Sequence, residues 1–198
     1  LSKELKQSEY LGIPKAAEDE SYPLTASQSR LWILSQLEGG SLAYNMPAAV
    51  RFTGTVDFDK FEESFRLLIK RHEILRTYFK SNDQGEVSQF IIPIADVSFT
   101  ITQKDFSKHK KREAQVSDYL EEINKEPFDL EKAPLVRASL IKLREDEHVF
   151  FLLLHHIIGD VWSMQLLISE VVKIYNSLLQ GKQANLPELD IQYKDYAV

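Results

Sequence analysis

Leu152-Leu153-Leu154-His155-His156-Ile157-Ile158-Gly159-Asp160 is the stretch whose reading decides the fold. An apolar run ends at two adjacent histidines, and a glycine and an aspartate follow before a helix-forming segment. Residues 149–155 show almost no polar alternation, which predicts a strand buried on both faces. Residues 161–179 predict the longest helix, ended by Gly181. Nowhere else does the chain place so many ionisable groups beside buried-looking sequence.

Working outward, residues 135–143 predict the hairpin partner of that strand, joined by the polar turn Arg144-Glu145-Asp146-Glu147. Residues 114–125 predict an amphipathic helix with Val116, Leu120 and Ile123 inward and Pro127 as its stop. Further back, Asp57 or Asp59 caps a helix whose Phe61, Phe65, Leu68, Ile69, His72 and Leu75 share one face. Residues 47–53 read as a strand. Residues 77–80 and 87–92 read as a hairpin about the turn Asn82-Asp83-Gln84-Gly85. Residues 99–103 read as another short strand. Thr25 or Ser27 caps a helix through Gln36, ended by Gly39-Gly40. Residues 1–21 are polar and read as a linker with one turn of helix. Helical and strand-like segments alternate, so the class is mixed α and β.

The 198 residues are 43% hydrophobic, enough for one domain with a core or two small lobes. Net charge is −6, and the basic run Lys108-His109-Lys110-Lys111-Arg112 reads as a solvated loop or helix start. This acidity argues against nucleic acid as a partner. There are no cysteines, which excludes disulfides, thiolate metal sites and a cysteine nucleophile and fits a cytoplasmic location. No apolar run approaches the ~20 residues that span a membrane, and residues 1–7 lack the apolar core of a signal peptide. Beginning at Leu1, the chain reads as a piece of something longer.

Histidine at a strand end can serve as a proton acceptor near neutral pH. Adjacent strand residues point to opposite faces, so His155 and His156 cannot aim at one metal ion. His72, His109 and His148 show no ligand-like spacing, and no metal is expected. The two histidines divide the work: one packs inward and the other faces a cleft as base or positioner. Asp160 caps the helix or pairs with an arginine. No serine has a nucleophile-elbow context, so direct transfer between two bound substrates is favoured over a covalent enzyme intermediate.

His155-His156-Ile157-Ile158-Gly159-Asp160-Val161-Trp162-Ser163 resembles the core signature of the condensation domains of nonribosomal peptide synthetases. Leu24-Thr25-Ala26-Ser27-Gln28-Ser29-Arg30-Leu31-Trp32 resembles the family's first motif, and Arg71-His72-Glu73-Ile74-Leu75-Arg76-Thr77-Tyr78-Phe79 its second. Pro127-Phe128-Asp129-Leu130, Pro134-Leu135-Val136-Arg137 and Tyr193-Lys194-Asp195-Tyr196-Ala197-Val198 continue the likeness in order. The resemblance implies an α+β, chloramphenicol acetyltransferase-like lobe of two layers, a mixed sheet packed against helices. It implies that residues 22–198 are the N-terminal lobe, that the C-terminal lobe is absent, and that residues 1–21 link to an upstream carrier protein.

The resemblance also implies amide bond formation between a donor acyl or peptidyl thioester and an acceptor aminoacyl thioester. Both would ride on phosphopantetheine arms of upstream and downstream peptidyl carrier proteins, with no cofactor bound to the lobe itself. His156 would orient the acceptor amine or take its proton. His155, Asp160, Gly159, Trp162 and Arg76 would support the site, with Arg76, or failing it Arg71, paired to Asp160. Val161 departs from the family, where glycine is usual, and stiffens a place where backbone freedom is the rule. The lobe alone would be inactive and would expose an apolar patch. A coenzyme A-dependent acyltransferase, an epimerisation domain and a non-catalytic carrier-docking lobe are the alternatives.

Overall fold

Residues 12–37 and 40–198 are described by the computed structural model. In chain order the strands are β1 (Tyr22–Pro23), β2 (Asn45–Thr53), β3 (Thr77–Ser81), β4 (Val87–Ile91), β5 (Thr102–Asp105), β6 (Val136–Arg144) and β7 (Glu147–His155). The helices are α1 (Ala26–Ser35), α2 (Gly40–Ala43), α3 (Phe58–Arg71), α4 (Arg112–Asn124), α5 (Val161–Leu179) and α6 (Tyr193–Ala197). The expected helical turn near the N-terminus and the stop at Gly39 fall outside the described residues. Gly40 ends nothing; it opens α2.

Strand β7 is interior to a four-stranded sheet of order β2-β7-β6-β5. It pairs antiparallel with β2 and β6, and β5 lies parallel to β6. From His148 to His155 every residue of β7 is buried, as the unbroken apolar run predicts. Phe150 meets Phe61 and Phe65 of α3 in edge and tilted ring contacts at 5.2 and 5.4 Å. Residues one step out of phase, Val149 with Ile141 and Leu143, pack against Val116 of α4. Helices α3 and α5 therefore form the main second layer, and α4 adds a cover on the opposite face.

Two expectations move. The hairpin β3–β4 joins β1 in a separate three-stranded sheet, because pattern identifies strands but not the sheet they enter. Residues 99–101 fill the core before pairing begins at Thr102: Phe99 stacks on Phe65 at 5.7 Å, and the Ile101 N–H donates to Glu62. The long helix keeps its expected bounds. Asp160 caps its start, and Gly181, at φ 68, ends it in the left-handed conformation that favours glycine.

Candidate active site

Strand β7 delivers His155 and hands His156 to a short 3-10 turn, His156–Ile158, that leads into α5. Backbone bonds pin this handover on both sides. The His155 N–H donates to the Leu135 carbonyl, and the His156 N–H to Tyr44. The two rings meet different surroundings, His155 in the core and His156 at the surface.

His155 is wholly buried. Its Nδ1 accepts the Ile157 N–H at 3.2 Å, so the ring proton sits on Nε2, which has no partner among the described residues. Tyr44 and Phe128 present ring contacts at 6.4 and 6.1 Å. Burial, with His156 as a lesser cause, pushes the His155 pKa down to about 4. It is a neutral packing residue.

His156 is exposed and borders a cleft of ≈ 550 Å³. Its Nδ1 lies 2.7 Å from the Gly159 carbonyl oxygen. A carbonyl only accepts, so Nδ1 carries the proton and the neutral ring keeps a lone pair on Nε2. This is the tautomer a proton acceptor needs. Gly159 is extended, and a Cβ there would meet the Ser163 Cβ at 3.2 Å. The glycine thus permits the close approach of turn to helix.

Asp160 turns away from this chemistry. Its Oδ1 accepts both the N–H and the hydroxyl of Ser163 at 2.7 Å, which holds its carboxyl below the usual range. The expected pairing with Arg76 is corrected here. Arg76 Nη1 donates to the Ile92 carbonyl at 2.6 Å and Nη2 to Glu73 at 3.3 Å. Arg71 pairs with Glu170. Each arginine finds an acceptor in its own neighbourhood, and the aspartate spends itself on the helix start. Trp162, expected as a support, is 80% exposed on the first turn of α5.

The structure adds residues that motif reading overlooked. His72, at the end of α3, also borders the cleft. Its Nε2 lies 2.6 Å from Glu170 of α5, and Arg71 Nε reaches the same carboxylate at 3.2 Å. Glu170 is buried. The signal was available: Glu170 interrupts the inward stripe of Leu167, Val171 and Ile174, and His72 continues that of α3. A charge on an apolar stripe demands a buried partner. Gln192 closes this corner, donating to the Arg71 carbonyl and accepting the Glu73 N–H. The Ala16 N–H donates to Asp195 of α6, and Ile13 borders the cleft, so part of the expected linker lies against the body.

A family model described as Condensation domain matches residues 18–198. A linear gramicidin synthase of Brevibacillus parabrevis is 44% identical over 179 residues, 90% of this chain and 2% of that protein. Bacitracin synthase 3 of Bacillus licheniformis is 44% identical over 196 residues, 98% of this chain and 3% of that one. The chain therefore spans only a small fraction of these relatives. The X-domain solved in complex with OxyB from teicoplanin biosynthesis superposes with a TM-score of 0.80 at 29% identity, over 94% of this chain and 39% of that one. The first condensation domain of the calcium-dependent antibiotic synthetase, with a substrate analogue, gives 0.79 at 23% identity, over 85% and 40%, a likeness of fold.

Proposed function

The chain belongs to the condensation-domain family, and from that premise we propose that it is the N-terminal lobe of a nonribosomal peptide synthetase condensation domain. The reaction joins a donor acyl or peptidyl thioester to an acceptor aminoacyl thioester, each held on the phosphopantetheine arm of a carrier protein. The acceptor amine attacks the donor carbonyl. A C–N bond forms and the C–S bond breaks. The amine's proton passes by way of His156 Nε2 to the departing thiolate, which leaves as the thiol of the donor arm.

The observation that carries this reading is the His156 tautomer. Its Nδ1–H is fixed on the Gly159 carbonyl, and Nε2 has no hydrogen-bond partner among the described residues that border the cleft. Much of the rate would come from holding amine and thioester together, and that needs a second wall. Exposed Ile33, Leu37, Val161, Trp162 and Leu166 offer an apolar surface for a C-terminal lobe. Residues 1–21 lead from the upstream carrier, the downstream carrier brings the acceptor, and the setting is the cytoplasm. The lobe alone is inactive in this reading.

The test is peptide-bond formation by the complete two-lobed domain, supplied with one loaded donor carrier and one loaded acceptor carrier. The expected product is a peptidyl thioester on the acceptor carrier. Loaded carriers that stay unreacted would refute the assignment.

A second reading, a lobe that docks a partner protein without catalysis, rests on two observations. Val161 stands 63% exposed at the start of α5, five residues after His156, where glycine is usual in the family. The X-domain was solved bound to another protein. Carrier binding without product would favour this second reading.

A further inference from the structure

The chemistry proposed above occupies one end of the cleft, and the other end has a polar group of its own. Asp160 caps α5, and Glu170 lies nearly three turns into it, a rise of roughly 15 Å. Ser163, Leu166 and Leu167 border the cleft between them. His72 contacts Glu170 and His156 lies in the turn before Asp160, so the two rings border the cleft beside different turns of α5.

His72 is about nine-tenths buried, and its ring orientation is set from behind. Nε2 contacts the Glu170 carboxylate at 2.6 Å, and Arg71 grips the same carboxylate. A carboxylate only accepts, so Nε2 is the donor and the neutral ring keeps a lone pair on Nδ1. That Nδ1 makes no hydrogen bond among the described residues, and it is not sealed from solvent. Of the polar side chains that line this cleft with His72, Gln192 and Tyr193 are engaged, and Gln28 is engaged at its oxygen alone. Gln192 spends both ends of its amide on Arg71 and Glu73, and Tyr193 meets Thr25. Gln28 turns its Oε1 to the Thr25 N–H and keeps its Nε2 buried. The remaining neighbours, Leu31, Ile74 and Leu167, are apolar.

We propose that His72, locked by Glu170, is a substrate-binding residue that accepts a hydrogen bond from an amide N–H of the acyl-pantetheine substrate at the end of the cleft remote from His156. The proposal rests on the reading of the cleft as a site for carrier-borne acyl groups. Two stretches of such a substrate carry amides: the peptidyl chain and the pantetheine arm. A span of roughly 15 Å matches about four extended residues, so either can reach. An unengaged acceptor beside Leu31, Ile74 and Leu167 gives register to a chain lying along them.

The experiment is calorimetric titration of the complete two-lobed domain with thioether-linked peptidyl-pantetheine probes that cannot react. One probe series replaces a peptide N–H by an ester oxygen, and the other replaces each pantetheine N–H in turn. The wild type is expected to lose about 5-fold in affinity at one position, the worth of one net hydrogen bond. The series in which that loss falls identifies the source of the amide. His72→Gln keeps a donor for Glu170, but its carbonyl oxygen does not fall where Nδ1 was, so it should bind amide and ester probes alike. His72→Asn places an acceptor near Nδ1 and should restore part of the discrimination. Thermal melts identify any variant that fails to fold. Equal loss on every probe in both folded variants, or no discrimination in the wild type, would overturn the proposal. Discrimination that persists in a domain forming no peptide bond would uphold His72 and overturn the assigned reaction.

Discussion

The β7–α5 junction and the end of α3 each pair a histidine with a nearby acid, and they use the pair in opposite ways. At the junction, Asp160 follows His156 by four residues, yet its carboxylate accepts from Ser163 at the start of its own helix. At the end of α3, His72 is gripped by Glu170 from far along the sequence. The first histidine is exposed and held by a single backbone carbonyl. The second is nearly buried and held by a carboxylate that also binds Arg71. Closeness in sequence is thus a poor guide to which acid serves which base. An exposed ring anchored by one backbone carbonyl suits proton transfer, and a clasped ring suits recognition and stability.

The largest effects should separate the two sites by kind. His156→Ala in the complete domain is expected to cut the rate of peptide-bond formation roughly 10²–10⁴-fold. Its melting temperature should hardly move, because an exposed side chain is lost. Single-turnover product formation together with a thermal melt checks both halves. Glu170→Ala should do the reverse. It strands the half-buried Arg71 and costs about 3–5 kcal/mol, several degrees in melting temperature. Full stability in Glu170→Ala would mean that the α3 cluster is ornamental and the contrast false.

What could be read in the residues follows the same division. The bounds of α5 were legible because an apolar helix lies between an aspartate cap and a terminal glycine. Strand β7 was legible because eight consecutive buried residues leave no polar alternation. Different surroundings for His155 and His156 were expected from strand geometry, although His156 lies in the 3-10 turn just past the strand. The partners of Arg71 and Arg76 were not legible, since any of several acids could meet a long flexible side chain. Sheet membership of β3–β4 was hidden for a related reason: a hairpin's pattern records its own two faces and nothing of its neighbours. Glu170 lay between these cases, visible as a charge on an apolar stripe but without an address.

Within the junction itself, His155 offers a sharper test through pH. Its folded pKa of about 4 lies below the ordinary 6.5, so the folded state binds fewer protons than the unfolded chain. The stability tied to its neutral form is complete above about 6.5 and is lost as pH falls toward 4. The loss is roughly 3 kcal/mol. His148, also lowered by burial, adds a loss of the same sign. Denaturant unfolding of wild type and His155→Asn between pH 7 and 4 checks this. Asparagine keeps an acceptor for the Ile157 N–H but does not titrate. The variant should lose less stability over that window, and identical slopes would remove His155 as the cause.

The smallest effect concerns Asp160, and it decides whether the acid at the junction belongs to the helix or to the histidine. If the carboxylate works as a cap, Asp160→Ala should cost about 1 kcal/mol, and Asp160→Asn only a few tenths, because asparagine caps nearly as well. The sign of its pH dependence is also set. Ser163 holds the Asp160 carboxyl below its ordinary range, so its contribution is present above the unfolded value and fades as pH falls through the folded one. Ser163→Ala, which removes one of the two donors to Oδ1, should narrow the gap between aspartate and asparagine at this position. Stability of the wild type, the three single variants and the Ser163→Ala/Asp160→Asn double variant, measured by denaturant unfolding at pH 7, settles the point. If Asp160→Asn instead proved as costly as Asp160→Ala, the charge itself would matter, and the junction would resemble the end of α3 after all.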